Sequence, residues 1–163
     1  MMQVGFYRFA SASIAALALF VAPARDALAQ QGATNLTSIR NLDFGSFVSG
    51  SGGTVTVGTT GARSRTGTVV LLNAHPGGQA AFTATRNGNK NPLIASITLP
   101  PSATIRHANG VNSMTLNNFV SSPVHGATTP NPVTVSVGAT LTVGQNQAPG
   151  LYTGTCSVTV NLN

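Results

Sequence analysis

The run Val133-Thr134-Val135-Ser136-Val137-Gly138-Ala139-Thr140-Leu141-Thr142-Val143 puts apolar residues at every odd position and small polar residues or glycine between them. Successive side chains of a strand point to opposite faces, so period two produces one apolar and one polar face. A helix would scatter the same residues around its axis. The theme recurs along the chain. Val55 and Val57 alternate with Thr54 and Thr56 after a Gly/Ser turn at 49–53, and Phe82 and Ala84 share a side within 80–86. Leu93, Ala95, Ile97 and Leu99 share a face ahead of Pro100-Pro101, and 102–107 and 113–119 read as further short strands. Thr68 to Leu72 is a short continuous apolar run, expected as a strand covered on both faces. Turn signals separate these runs: Asn87-Gly88-Asn89, Asn109-Gly110, a loop at 123–132 with three prolines, and Asn146 to Gly150. The pattern predicts eight or nine short strands in an all-β sandwich.

The amino-terminal region departs from this pattern. Arg8 precedes an unbroken apolar stretch from Ala10 to Ala22, Pro23 ends it, and Ala27-Leu28-Ala29 offers the small residues of a signal-peptidase site. Residues 1–29 are therefore expected to be a signal peptide cut before Gln30. The stretch is too short for the roughly 20 residues of a spanning helix, so no stable membrane span is expected after cleavage. The implied location is the periplasm, the cell surface or the extracellular space. The mature chain, 30–163, forms a single domain with enough length for one core.

Only 6% of the 163 residues are charged, against about 25% in ordinary soluble domains. In the mature chain Asp43 is the single acidic side chain, facing Arg40, Arg63, Arg65, Arg86, Lys90 and Arg106. One carboxylate cannot run paired-carboxylate glycoside hydrolysis. Asp43, within Leu42-Asp43-Phe44-Gly45, is expected to accept backbone N–H bonds in a turn. The bases are scattered and lack interleaved aromatics, so no nucleic acid is expected as a partner. His75, His107 and His125 lie far apart on or beside Pro/Gly-rich turns and read as exposed turn residues rather than metal ligands. No nucleophile elbow, Walker loop or dinucleotide fingerprint occurs. Neither catalytic residues nor a cofactor are expected. Asn35-Leu36-Thr37 matches a glycosylation sequon, a pattern short enough to arise by chance.

Cys156 is the only cysteine, which rules out an intrachain disulfide. In the final segment Tyr152, Cys156, Val158, Val160 and Leu162 fall on one apolar face, where Cys156 acts as a small hydrophobe. Between the expected cut and Leu42, apolar residues stand at Ala33, Leu36, Ile39 and Leu42. Three-residue spacing suits neither a clean strand nor a helix of adequate length.

Leu42-Asp43-Phe44-Gly45, Thr66-Gly67, Phe82, Ile97-Thr98-Leu99-Pro100, Met114 with Phe119, 137–143, Ala148-Pro149-Gly150-Leu151-Tyr152-Thr153-Gly154 and Val158-Thr159-Val160 occur in that order. Together they resemble the secreted proteobacterial domain of unknown function 4402 across the mature chain. That resemblance implies a signal peptide followed by one small β-sandwich of unassigned activity. The closing Pro-Gly-x-Tyr-x-Gly with alternating Val/Thr is also similar to spore-coat-U-like and archaic chaperone–usher pilins. This second resemblance implies an immunoglobulin-like, pilin-like sandwich lacking its last strand and completed by a neighbour.

The expected function is a non-enzymatic structural subunit of a surface fibre or coat, assembled by strand exchange. Its donor segment would carry Ala33, Leu36, Ile39 and Leu42, and its partners would be other copies and a periplasmic chaperone. A missing strand leaves about three inward side chains unburied at about 1.5–3 kcal/mol each. That loss is comparable with a typical domain stability of about 5–15 kcal/mol. The alternative is a self-sufficient secreted monomer that binds glycan or an envelope protein.

Overall fold

A computed structural model describes residues 2–3, 34–88 and 90–163, and all regular structure in it is β. The expected signal peptide lies outside the described residues, apart from the backbone of Met2–Gln3. In chain order the strands are β1 (Met2–Gln3), β2 (Thr34–Arg40), β3 (Asp43–Gly45), β4 (Phe47–Val48), β5 (Gly53–Val57), β6 (Arg63–Gly67) and β7 (Val70–Leu71). There follow β8 (Ala80–Arg86), β9 (Ile94–Thr98), β10 (Ala103–His107), β11 (Ser113–Ser122), β12 (Val133–Val143), β13 (Tyr152–Thr153) and β14 (Thr159–Leu162). Eight of them reach five residues, and six of those eight (β5, β8, β9, β10, β11 and β12) fall on the periodic runs of the sequence. The others are short pieces at corners and edges.

One large sheet runs β2-β8-β12-β11-β10-β13-β1-β3, with β5 branching from β12 and β6 pairing with β5. Two small ribbons, β9–β14 and β4–β7, complete the sandwich-like shell. β12 organises the whole. Along one edge it pairs with β11; along the other, Val133–Val137 pair with β8 and Ala139–Val143 with β5. The change of partner falls at Gly138, where a Cβ would lie 2.2 Å from the Val57 carbonyl oxygen. Only glycine lets the backbones approach this closely.

The apolar side of each long strand turns into a single core. Val55, Val57, Ala80, Ala84, Ile105, Leu116, Val135, Val137, Ala139 and Leu141 are fully enclosed, with Phe44 and Phe82 as the largest buried rings. From Leu151 to Asn163 burial alternates as the sequence predicts, although the segment is not one strand. β13 belongs to the large sheet and β14 to the β9 ribbon, with Gly154–Val158 crossing between them. A strand that changes sheet at a corner keeps its inner face inward.

Two expectations need correction. In Thr68–Leu72 only Val69 is enclosed, while Val70 and Leu72 face solvent on the β4–β7 ribbon, so the run is not covered on both faces. The 34–40 segment, whose spacing suited no clean strand, is strand β2. Its backbone is zipped to β8 over six register partners while Leu36 alone is buried. Hydrogen bonding to a neighbour's edge, not side-chain patterning, sets its conformation.

Candidate functional site

Met2–Gln3 lies between β3 and β13, parallel to β13 (Met2 opposite Tyr152) and antiparallel to β3 (Met2 opposite Gly45, Gln3 opposite Asp43). A strand fits between two others only where both present unpaired backbone edges. β3 and β13 therefore stand two strand spacings apart, about 10 Å, and flank a strand-wide slot.

Next to the slot is a cleft of about 330 Å³ bordered by Phe47, Val48, Met114, Gln147, Pro149 and Tyr152. Its wall is rigid. Tyr152 is buried, and its hydroxyl donates to the Ala148 carbonyl at 2.8 Å while accepting from Gln147 Nε2 at 2.8 Å. This tie from a tyrosine to backbone a few residues upstream is a corner device of Greek-key sandwiches. His107 packs edge-on against the Tyr152 ring, with centroids 4.9 Å apart. Its Nδ1 accepts from the Asn109 N–H, which leaves Nε2 to donate to the Pro149 carbonyl at 3.1 Å. Those partners assign the neutral Nε2–H tautomer. Gly150 completes the corner: at φ 142° it occupies backbone space that side chains avoid, and a Cβ would meet the His107 ring.

A second cleft, about 280 Å³, opens between Arg40, Asn41, Asp43, His75, Pro76 and Gly78. Asp43 Oδ1 accepts the Gly45 N–H at 2.7 Å, the turn bond expected from the sequence. Its other oxygen lies 2.6 Å from His75 Nε2. His75 is therefore not a free turn residue, and neither is His107; only His125 is exposed as expected. Both partnerships join residues far apart in the chain. Arg63 is also spent on structure: its guanidinium donates to the carbonyls of Phe44, Ser46 and Leu72, stitching β3, β4 and β7 together.

Among the described residues, no group of three or more His, Cys, Asp or Glu side chains converges to hold a metal ion. Cys156 is half-buried, and burial pushes its thiol up to about 12, so it carries no thiolate at neutral pH. No helix of the described residues is long and apolar enough to cross a membrane.

Of the proposed donor residues, Leu36 and Leu42 are buried, Ile39 is 60% exposed, and Ala33 lies outside the described residues. On the final segment Tyr152, Val160 and Leu162 are buried, with Cys156 and Val158 partly so. Sequence reasoning missed the slot. Its rims are two- and three-residue strands with no periodicity to read.

Comparison with curated proteins returned no match, and neither did comparison with solved structures. The family model described as "Domain of unknown function (DUF4402)" matches residues 34–162, from the first residue of β2 to the last of β14, and the chain belongs to that family.

Proposed function

We infer that the exported domain is a non-enzymatic structural subunit of a surface fibre or coat, with the 34–40 segment exchanged between copies. The observation that carries this reading is β2 itself. It is an edge strand whose backbone pairs with one neighbour, it buries one of seven side chains, and it would stand close to the mature amino terminus. Such a strand can leave without unthreading anything, and an identical strand from a second copy replaces it bond for bond. A periplasmic chaperone would protect the vacated edge until a second copy arrives.

The test is the state of the protein recovered after export. Multimers that survive heating in detergent, and that shorten when residues 30–40 are removed, are the expected result. Multimers unchanged by that deletion would exclude the segment as donor. The pairing of β2 with its own β8 favours a second reading, a complete monomer that binds a ligand in the Tyr152 cleft. A reversible monomer that refolds without a chaperone is its signature.

A further inference from the structure

Asn87-Gly88 and Asn109-Gly110 are the two Asn-Gly pairs of the chain, and the fold holds them differently. We propose that Asn87 is a site of spontaneous modification, converted in the folded protein to aspartate or isoaspartate, while Asn109 is protected from the same reaction. Nothing in this inference depends on strand exchange.

The chemistry needs no enzyme, and water is the sole co-reactant. The Gly88 nitrogen loses its proton to solvent and attacks Asn87 Cγ, forming a new C–N bond. The side-chain nitrogen takes up a proton and leaves as ammonia, which closes a five-membered succinimide. Water then adds to one of the two ring carbonyls. Breaking the bond from Cγ to nitrogen leaves aspartate. Breaking the bond from the main-chain carbonyl carbon leaves isoaspartate, whose backbone runs through Cβ and Cγ. A following glycine favours ring closure, because no Cβ blocks the approach to its nitrogen and its backbone turns freely.

The two pairs match in everything but hydrogen bonding. Both lie in exposed turns with glycine φ of 81° and 74°, and a Cβ at either glycine would meet nothing within 4 Å. At the second pair, Asn109 Oδ1 accepts the N–H of Val111 at 3.0 Å and that of Asn112 at 3.3 Å. The Gly110 N–H, which would be the nucleophile, donates to the His107 carbonyl at 2.8 Å. Ring closure there requires the side chain to swing off both donors and the glycine nitrogen to give up its acceptor. At the first pair, no described residue hydrogen-bonds to the Asn87 side chain or to the Gly88 N–H. The anchoring stops one residue earlier, where the Asn131 side chain accepts from the Arg86 N–H at 3.1 Å and donates to the Arg86 carbonyl at 2.5 Å. The Asn87 amide can therefore rotate onto the Gly88 nitrogen without breaking a bond. The product is a new carboxylate in a mature chain whose single acidic side chain is Asp43, one residue past the pairing of Arg86 with Thr34 at the start of β2. It marks older molecules by charge.

The test ages the folded exported protein in neutral heavy-oxygen water and digests it in ordinary water, so that only conversion before digestion carries the label. Mass spectrometry reads a gain of about three mass units at each converted site. In the folded protein, conversion at Asn87 should be at least about tenfold faster than at Asn109, which must open locally to react. In a parallel sample aged in urea the two rates should agree within about threefold, because the bonds that protect Asn109 are gone. Equal rates in the folded protein, faster conversion at Asn109, or no label at Asn87 would overturn the proposal. A tenfold preference that persists in urea would overturn it too, since neighbouring sequence rather than fold would then set the difference. Asn87→Gln should abolish the label in its peptide while leaving the Asn109 rate unchanged. Label that survives this substitution places the reaction at another asparagine and sinks the assignment.

Discussion

β12 and β2 are both extended and both hydrogen-bonded to β8, yet they are different kinds of strand. β12 has neighbours along both edges and turns Val133, Val135, Val137, Ala139, Leu141 and Val143 into the core. β2 has a neighbour on one edge and buries Leu36 alone. The first would be hard to displace, because moving it exposes a full apolar face and two ladders of backbone groups. The second is held by one backbone ladder, one buried side chain and a few polar ties such as Arg40 to the Gln79 carbonyl. Backbone pairing is enough to define a strand, but side-chain burial decides whether it is permanent.

Truncation on the two strands gives the largest effect and tests the contrast directly. Leu141→Ala should lower unfolding free energy by about 3–5 kcal/mol, measured by urea denaturation, because a fully enclosed site between three strands cannot collapse around the cavity. Leu36→Ala should cost about 2 kcal/mol, since the sheet edge relaxes. Equal losses would break the comparison and make β2 part of the permanent frame. Tyr152→Phe comes next, at about 1–2 kcal/mol. It strips the Ala148 carbonyl of its donor and Gln147 of an acceptor while leaving the ring packed on His107.

A smaller effect comes from Cys156 where the chain crosses between sheets. Burial raises its thiol from 9.0 to about 12 in the folded protein. Above pH 9 the unfolded chain loses this proton first, so unfolding releases a proton and stability falls as pH rises toward 12. Alkaline unfolding curves should therefore slope less in Cys156→Ser than in the parent. Identical slopes would mean that the crossing segment opens readily and the thiol is hydrated. The comparison would then gain a second labile region beside β2.

Much of the core could be read from alternation alone, because period two assigns a face whichever strand lies alongside. That is why Tyr152, Val160 and Leu162 point inward even though the segment belongs to two sheets. Pattern failed where the partner's backbone makes the strand. Arg63–Gly67 is polar and exposed almost throughout, yet it pairs with β5 over its whole length. The Asp43–His75 partnership was equally hidden, since 32 residues separate its members and only the folded chain brings them to 2.6 Å. The candidate site lies in the same blind spot. The slot is bounded by backbone edges of β3 and β13, and its cleft by a tyrosine corner whose donors and acceptors come from 107–113 and 147–152.

The smallest expected effect on folding is also the sharpest probe of what β2 is for. Ile39 is 60% exposed on a strand that buries only Leu36, so Ile39→Thr removes no core contact and keeps a β-branched residue suited to a strand. Stability of the isolated monomer should change by no more than about 0.5 kcal/mol, as for most surface substitutions. If the 34–40 segment is buried against a second copy, the same change places a hydroxyl where an apolar side chain should be covered. Multimers should then dissociate at lower temperature or lower detergent while the monomer's melting point stays put. A parallel loss in both measurements would mean that Ile39 serves its own chain, and unchanged multimers would mean that this face of β2 stays in water after assembly.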